Sequence, residues 1–489
     1  MSVFSELLEE ILIEKDIRIS QLAKITGISR ATLHHYVHGQ RTIQKKEHFD
    51  AIVNALTLSP RQMESMREAF QIELVGEARY KQRDQIFQFF RSLGMIQEKS
   101  MTDDFHFAKI PDDYSEVSGS EIIVERNRVS LAIYNILKAA SGRRDTVMLY
   151  ADPLSPGLMP VMNSPSLSTN ASDFSHIFKL EATSNRRYNR NIETIEAVIK
   201  YATVIQKYRP LYYYESHTDG ETMFQLTDFI VSSREVLLFS RNGDYAIYDT
   251  GKECIALFRD MFLKMSEKCR MLGWNLSFNY NSMGDLSDFV SVLSHGRMNS
   301  DEQSIISVSG TACITNFWTE DTIRRYLRRD LPDYKTFADT LITYSDSLRE
   351  AFRKQKRTVL MRIDFLESFF ETGVLGIYQN VFVSDRISEE ERKKAALDMV
   401  WLIEKGEVNI ALAKPHRFPL PEMWEGFFSR EGMRLFNYND RKCTSITLNE
   451  PSFSRAVFDY FEDYAGSESV IKGKDAADMI RKWVDEYMS

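Results

Sequence analysis

The chain has 489 residues, 43% hydrophobic and 27% charged, with a formal net charge of -8. That length exceeds what one core usually holds and predicts two or three domains, and the composition excludes disordered and fibrous classes. The acidic balance means that any contact with nucleic acid must come from a local basic patch.

The first residues, MSVFSELLEEILIEK, lack the basic start and apolar run of a signal peptide. No apolar stretch approaches the ~20 residues of a membrane span. A cytoplasmic protein without membrane contact is expected. Cys254, Cys269, Cys313 and Cys443 lie far apart with no CxxC pair, which argues against a zinc ribbon or a disulfide framework and for reduced structural thiols.

In chain order, Leu7, Leu8, Ile11 and Leu12 recur at three and four and predict an amphipathic helix within 3–14. Ile19-Ser20 then offers an N-cap for a short helix holding Leu22, Ala23 and Ile25, and Gly27 supplies the tight turn that ends it. Ile28-Ser29 repeats that logic for a helix starting at Arg30. Leu33, Tyr36 and Val37 would face inward, leaving Arg30, Ala31, Thr32, His34 and His35 outside. Gly39 ends this helix, and Phe49, Ile52, Val53 and Leu56 close the bundle.

These residues, Leu22-Ala23, Gly27-Ile28-Ser29, Leu33, Tyr36 and Gly39, followed by NALTLSP, resemble the lambda-repressor and Cro-like (XRE-type) helix-turn-helix family over residues 1 to 58. The resemblance implies that the helix from Arg30 enters the major groove of a double-stranded operator. Arg30, Ala31, Thr32 and His35 are then the candidate base readers, with Ser29 and His34 beside them. Ser20 and Gln21 would offer backbone amides to phosphate, as would Gln40 and Arg41 past Gly39. Residues 15–46 hold seven cations against Asp16 alone, a net +6, so the local patch exists. His34 and His38 have the i, i+4 spacing of a metal pair, but no third ligand is obvious and no metal is expected. A basic bundle face used for protein contact is the rival reading.

The helical run 63–93 reads as a spacer or dimerising arm, and residues 97–120 as a polar linker. The expected division is 1–58 helix-turn-helix, 59–115 spacer and linker, 116–279 and 341–489 two halves of an α/β domain, and 280–340 a helical connection. Internal similarity supports the two halves. TVMLYADPL (146–154) matches TVLMRIDFL (358–366), LYYYESH matches NIALAKPH, and the run from Val236 matches the run from Met433. The fold class expected is therefore an all-α bundle followed by a large mixed-sheet α/β domain with two pseudo-symmetric halves.

The order of elements in each copy looks like the phospholipase D-like fold. Active members of that family carry HxK followed by Asp in each half. Here the corresponding stretches, Phe224 to Asp228 and PEMWEGFFSREG, lack them. No catalytic residue, cofactor or metal is expected. Asp152, His217, Asp364 and His416 are the candidate ligand contacts, although single histidines near strand ends commonly satisfy backbone groups.

A transcription regulator follows, binding DNA as a homodimer and sensing a small-molecule or peptide effector through a catalytically empty domain. The rivals are a nucleic-acid-targeted nuclease or phosphodiesterase, and a protein-interaction regulator of a defence or toxin system.

Overall fold

Apolar residues spaced three and four apart organise the N-terminal part. The computed structural model describes residues 2–99, 119–164, 173–182, 190–205, 207–215, 226–279, 304–309, 319–354, 357–376, 379, 382–438 and 442–488. They fall into two compact units that divide between Gln85 and Ile86. The first is helical: α1 (Val3–Glu14), α2 (Ile19–Thr26), α3 (Arg30–Val37), α4 (Lys46–Leu56) and α5 (Pro60–Val75). Leu8, Leu22, Leu33 and Ile52 are fully buried in its core. Each such side chain stabilises by roughly 1.5–3 kcal/mol.

The spacer expected over 59–115 is divided between the two units. Met66, Ala69 and Phe70 of α5 complete the helix-bundle core, and the Phe70 ring stacks on Phe49 at 4.3 Å. Their i, i+3, i+4 spacing is a core-facing stripe, which an isolated arm would leave in water. In α6 (Glu77–Lys99), Ile86, Phe89, Phe90 and Leu93 are instead buried in the second unit.

That second unit contains two sheets. The first is built from β1 (Ser120–Val124), β2 (Val147–Tyr150), β3 (Phe174–Glu181), β4 (Tyr208–Glu215), β5 (Leu226–Val231), β6 (Val236–Ser240), β7 (Tyr245–Asp249) and β8 (Arg270–Met271). The second is built from β9 (Gly273–Asn279), β10 (Ile305–Ser309), β11 (Arg357–Arg362), β12 (Val408–Ala413), β13 (Trp424–Phe428), β14 (Met433–Tyr438), β15 (Lys442–Leu448) and β16 (Val470–Lys472).

The strand orders are β1-β7-β6-β5-β2-β3-β4-β8 and β9-β15-β14-β13-β10-β11-β12-β16. Replacing each first-sheet strand by the one eight places later reproduces the second sheet. The parallel pairs agree as well: β2 with β3 and β3 with β4, against β10 with β11 and β11 with β12. The expected all-α bundle followed by a mixed-sheet domain of two like halves is the observed fold.

The topology corrects one of the sequence matches. TVMLYADPL forms β2, but TVLMRIDFL forms β11, whose counterpart is β3. The counterpart of β2 is β10, inside the stretch 280–340 expected to be a helical connection. The second half therefore begins at β9. An apolar run is common to any buried parallel strand, and that common pattern produced the false pairing. The β4/β12 and β6–β7/β14–β15 matches agree with the strand orders.

Both halves bury residues in a shared core. It takes Leu149, Phe178 and Ile230 from the first sheet and Val308, Leu360 and Ala411 from the second, together with Phe89 and Phe90. The other face of the second sheet packs under helices Ile363–Thr372, Glu389–Lys405 and Lys474–Tyr487. The other face of the first sheet lies under α10 (Lys252–Ser266).

Candidate nucleic-acid interface

Glycine makes the corner between α2 and α3. Gly27 adopts φ 71°, the left-handed region that strains any residue with a Cβ, and its N–H closes α2 on the Ala23 carbonyl at 3.0 Å. Ser29 then caps α3: its Oγ accepts from the Thr32 N–H at 3.1 Å and lies 2.8 Å from Thr32 Oγ1. Thr32 is half-buried, so its hydroxyl serves the cap as well as the surface.

Leu33, Tyr36 and Val37 anchor α3 in the core. Arg30, Ala31, His34, His35 and His38 are exposed and share the opposite face, with the His34 and His38 rings 4.3 Å apart. Of the expected readers, Arg30, Ala31 and His35 thus stand on one outward surface, whereas Thr32 is half-buried. The loop after α3 is fixed from behind by α5, where Glu73 Oε2 accepts from the Ile43 N–H at 2.9 Å. Sequence reading missed this brace because α5 was taken for a spacer. Tyr36 Oη lies 2.9 Å from His48 Nδ1, and burial raises the pKa of this phenol.

Two expected phosphate contacts need correction. α2 begins at Ile19, and its cap position is Arg18, whose N–H donates to Gln21 Oε1 at 2.7 Å; Ser20 lies inside the first turn. Ser20 and Gln21 are both exposed there, but the Gln21 N–H donates to the Arg18 carbonyl at 2.9 Å. Beyond Gly39, the N–H groups of Gln40 and Arg41 both donate to the His35 carbonyl, at 2.9 and 3.2 Å. A committed amide is no phosphate donor, so only the exposed side chains of Gln40 and Arg41 remain for that role.

Two of the residues selected in the α/β domain, Asp152 and Asp364, have internal partners. Asp152, just past β2, is buried; its Oδ2 accepts from Arg190 Nη2 at 2.6 Å and its Oδ1 from the Leu154 N–H at 2.9 Å. Asp364, after β11, accepts two bonds from the Arg362 guanidinium at 3.1 and 2.6 Å. His416 is exposed on the 3₁₀ turn Pro415–Arg417. His217 lies outside the described residues, as do Phe224 and Gln225. Asp152 and Asp364 follow non-equivalent strands of different sheets, so the symmetric pairing expected of them is not present.

One buried histidine, His176, was not singled out in the sequence. His176 on β3 is fully buried, and desolvation lowers its pKa to about 4. Its Nε2 lies 3.1 Å from the Ala151 carbonyl and its Nδ1 2.6 Å from Tyr208 Oη. A carbonyl only accepts, so Nε2 carries the proton and Tyr208 donates to Nδ1.

A bihelical corner with one outward, cation-bearing helix defines the N-terminal unit as a helix-turn-helix module. Residues 8–64 match the Cro/C1-type HTH DNA-binding domain family, and the N-terminal domain of this chain is such a domain. No curated protein matches the chain.

Similar solved structures include the archaeal chromatin protein TrmBL2, described as showing a novel mode of DNA binding (12% identity, TM-score 0.23, 55% of this chain and 94% of that one). Another is phosphatidylserine synthase of Haemophilus influenzae Rd KW20 (9%, 0.25, 76% and 92%). A third is polyphosphate kinase from Porphyromonas gingivalis (8%, 0.21, 73% and 49%). Likenesses at this level carry no argument about what the chain does.

Proposed function

We propose that this chain is a sequence-specific, DNA-binding transcription regulator of the cytoplasm. The observation that carries the reading is the outward face of α3. There Arg30, Ala31, His34 and His35 stand exposed on a Cro/C1-type domain, within a stretch of net charge +6. In such a docking, Arg30 donates to guanine acceptors in the major groove. The side chains of Gln21, Gln40 and Arg41 and the Ser20 amide in the first turn of α2 hold phosphates.

The large domain is proposed to sense a small-molecule or peptide effector, or to assemble the protein, without catalysis. Absence of the HxK pairs supports this, as does the engagement of Asp152 and Asp364 with arginines. Effector binding would act by changing the spacing of two DNA modules in a homodimer, which is a coupling between two sites. The degenerate phospholipase D-like reading of this domain rests on the order of its elements.

Selection from a random duplex pool by the full-length protein tests the proposal. Enrichment of one motif, repeated at about one helical turn, is expected. A pool that stays random after selection would reject sequence-specific reading.

A further inference from the structure

The duplicated topology allows each surface of one half to be compared with its counterpart. Across the outer face of the first sheet, the strand register sets Ile122, Ile247, Leu238, Phe229, Tyr150, Ile177, Leu211 and Met271 in one unbroken apolar row. The equivalent row of the second sheet, including Val308, Leu360 and Ala411, lies inside the shared core. In the first sheet α10 packs over this face with Ile255 and Phe262. The ends of the row, Ile122 and Met271, stay exposed.

The helices themselves differ in the same way. The counterpart of α10 is helix Pro451–Gly466, and aligning their caps, Gly251 and Glu450, sets Leu257 against Ala456 and Met261 against Tyr460. Ala456 and Tyr460 are buried, at 6% and 9% exposure. Leu257 and Met261 are 56% and 40% exposed. A flank that is covered in one half is therefore apolar and uncovered in the other.

We infer that this flank of α10 is the contact between two copies of the chain, packed as an antiparallel helix pair about a two-fold axis. The charge pattern favours a second copy. Glu253, Leu257, Met261 and Lys264 succeed one another along the flank at helical spacing. Antiparallel pairing sets Leu257 on the partner's Met261 and Glu253 beside the partner's Lys264, and the two-fold repeats each contact. Lys264 now pairs with Asp260 at 2.6 Å on an exposed surface, which leaves it free to exchange partners at little cost. The pairing joins two DNA-binding modules and so supplies the homodimer of the proposed function. It rests on that reading for its purpose but not for its test.

Sedimentation of the full-length protein without DNA tests the inference. The wild type is expected to form a dimer. Leu257→Glu with Met261→Glu should raise its dissociation constant at least about tenfold, with an unchanged circular dichroism spectrum, since both side chains are exposed. Glu253→Lys and Lys264→Glu should each weaken the dimer, and the double exchange Glu253→Lys/Lys264→Glu should restore it. A wild type monomeric throughout, a dimer indifferent to the Leu257/Met261 change, or failure of the double exchange to restore would each overturn the assignment. Loss of operator binding alone, with the dimer intact, would count against the DNA-reading proposal and not against this interface.

Discussion

His176 shows how a residue acts through its surroundings. Its ring is neutral in the folded state because burial lowers its pKa to about 4, whereas an unfolded histidine titrates at 6.5. Between these values the unfolded chain binds more protons, so stability falls as pH falls from about 6.5 towards 4. By about pH 5 this group alone should have removed about 2 kcal/mol. Comparing urea unfolding at about pH 7 and about pH 5, the pH-dependent loss should shrink by that amount in His176→Gln. An unchanged loss would mean the imidazole finds another stabilising arrangement. His176 was not legible in the sequence, because its isolation comes from β2 and β4 on either side, which no local pattern reveals. Arg30 was legible, because a helix cap and three inward residues determine which way its neighbours point.

At the scale of elements, caps and corners carry much of the specification. A Cβ on Gly27 would meet nothing within 4 Å, so its replacement strains only the backbone at φ +71°. Gly27→Ala should destabilise the N-terminal domain by about 1 kcal/mol, read as faster amide exchange in α2 and α3. Unchanged exchange would show that the corner does not need the left-handed residue.

Glu450 is a second such point. It is fully buried, accepts from the N–H groups of Ser452 at 3.2 Å and Phe453 at 2.6 Å at the start of helix Pro451–Gly466, and accepts from Tyr214 Oη across the two halves. Desolvation, together with that bond, raises the pKa of Tyr214. Glu450→Ala strands a half-buried phenol and two amides and should cost about 2 kcal/mol. Glu450→Gln should recover part of that loss in chemical denaturation, and an equal loss in both variants would show that the cap bonds contribute nothing.

Helices α1 to α4 were legible because their apolar stripes and caps are local. The role of α5 was not, because its stripe alone does not say which core it joins. The same ambiguity hid β10, a five-residue strand with only three apolar residues, Ile305, Ile306 and Val308, whose identity as a central strand depends on β11 and β13.

At the scale of the whole molecule, the chain joins a DNA-binding module to a duplicated α/β domain. The duplication was visible in sequence where loops are alike, at β4/β12 and β6–β7/β14–β15. It was obscured where the second half carries extra helices, Glu320–Tyr326 and Tyr334–Lys354, between β10 and β11. The proposal that this domain is not catalytic predicts no turnover of a phosphodiester substrate or duplex DNA by the purified protein. Turnover that survives rigorous purification would restore the enzyme reading.

The central claim is that α3 reads base edges. Titration of wild type and Arg30→Ala against the selected operator and a scrambled duplex, at one salt concentration, tests it most directly. The account predicts a loss of about 1–3 kcal/mol on the operator and little change on the scrambled duplex. An equal loss on both duplexes would reduce Arg30 to a phosphate contact, and no loss on either would contradict the placement of α3 in the groove.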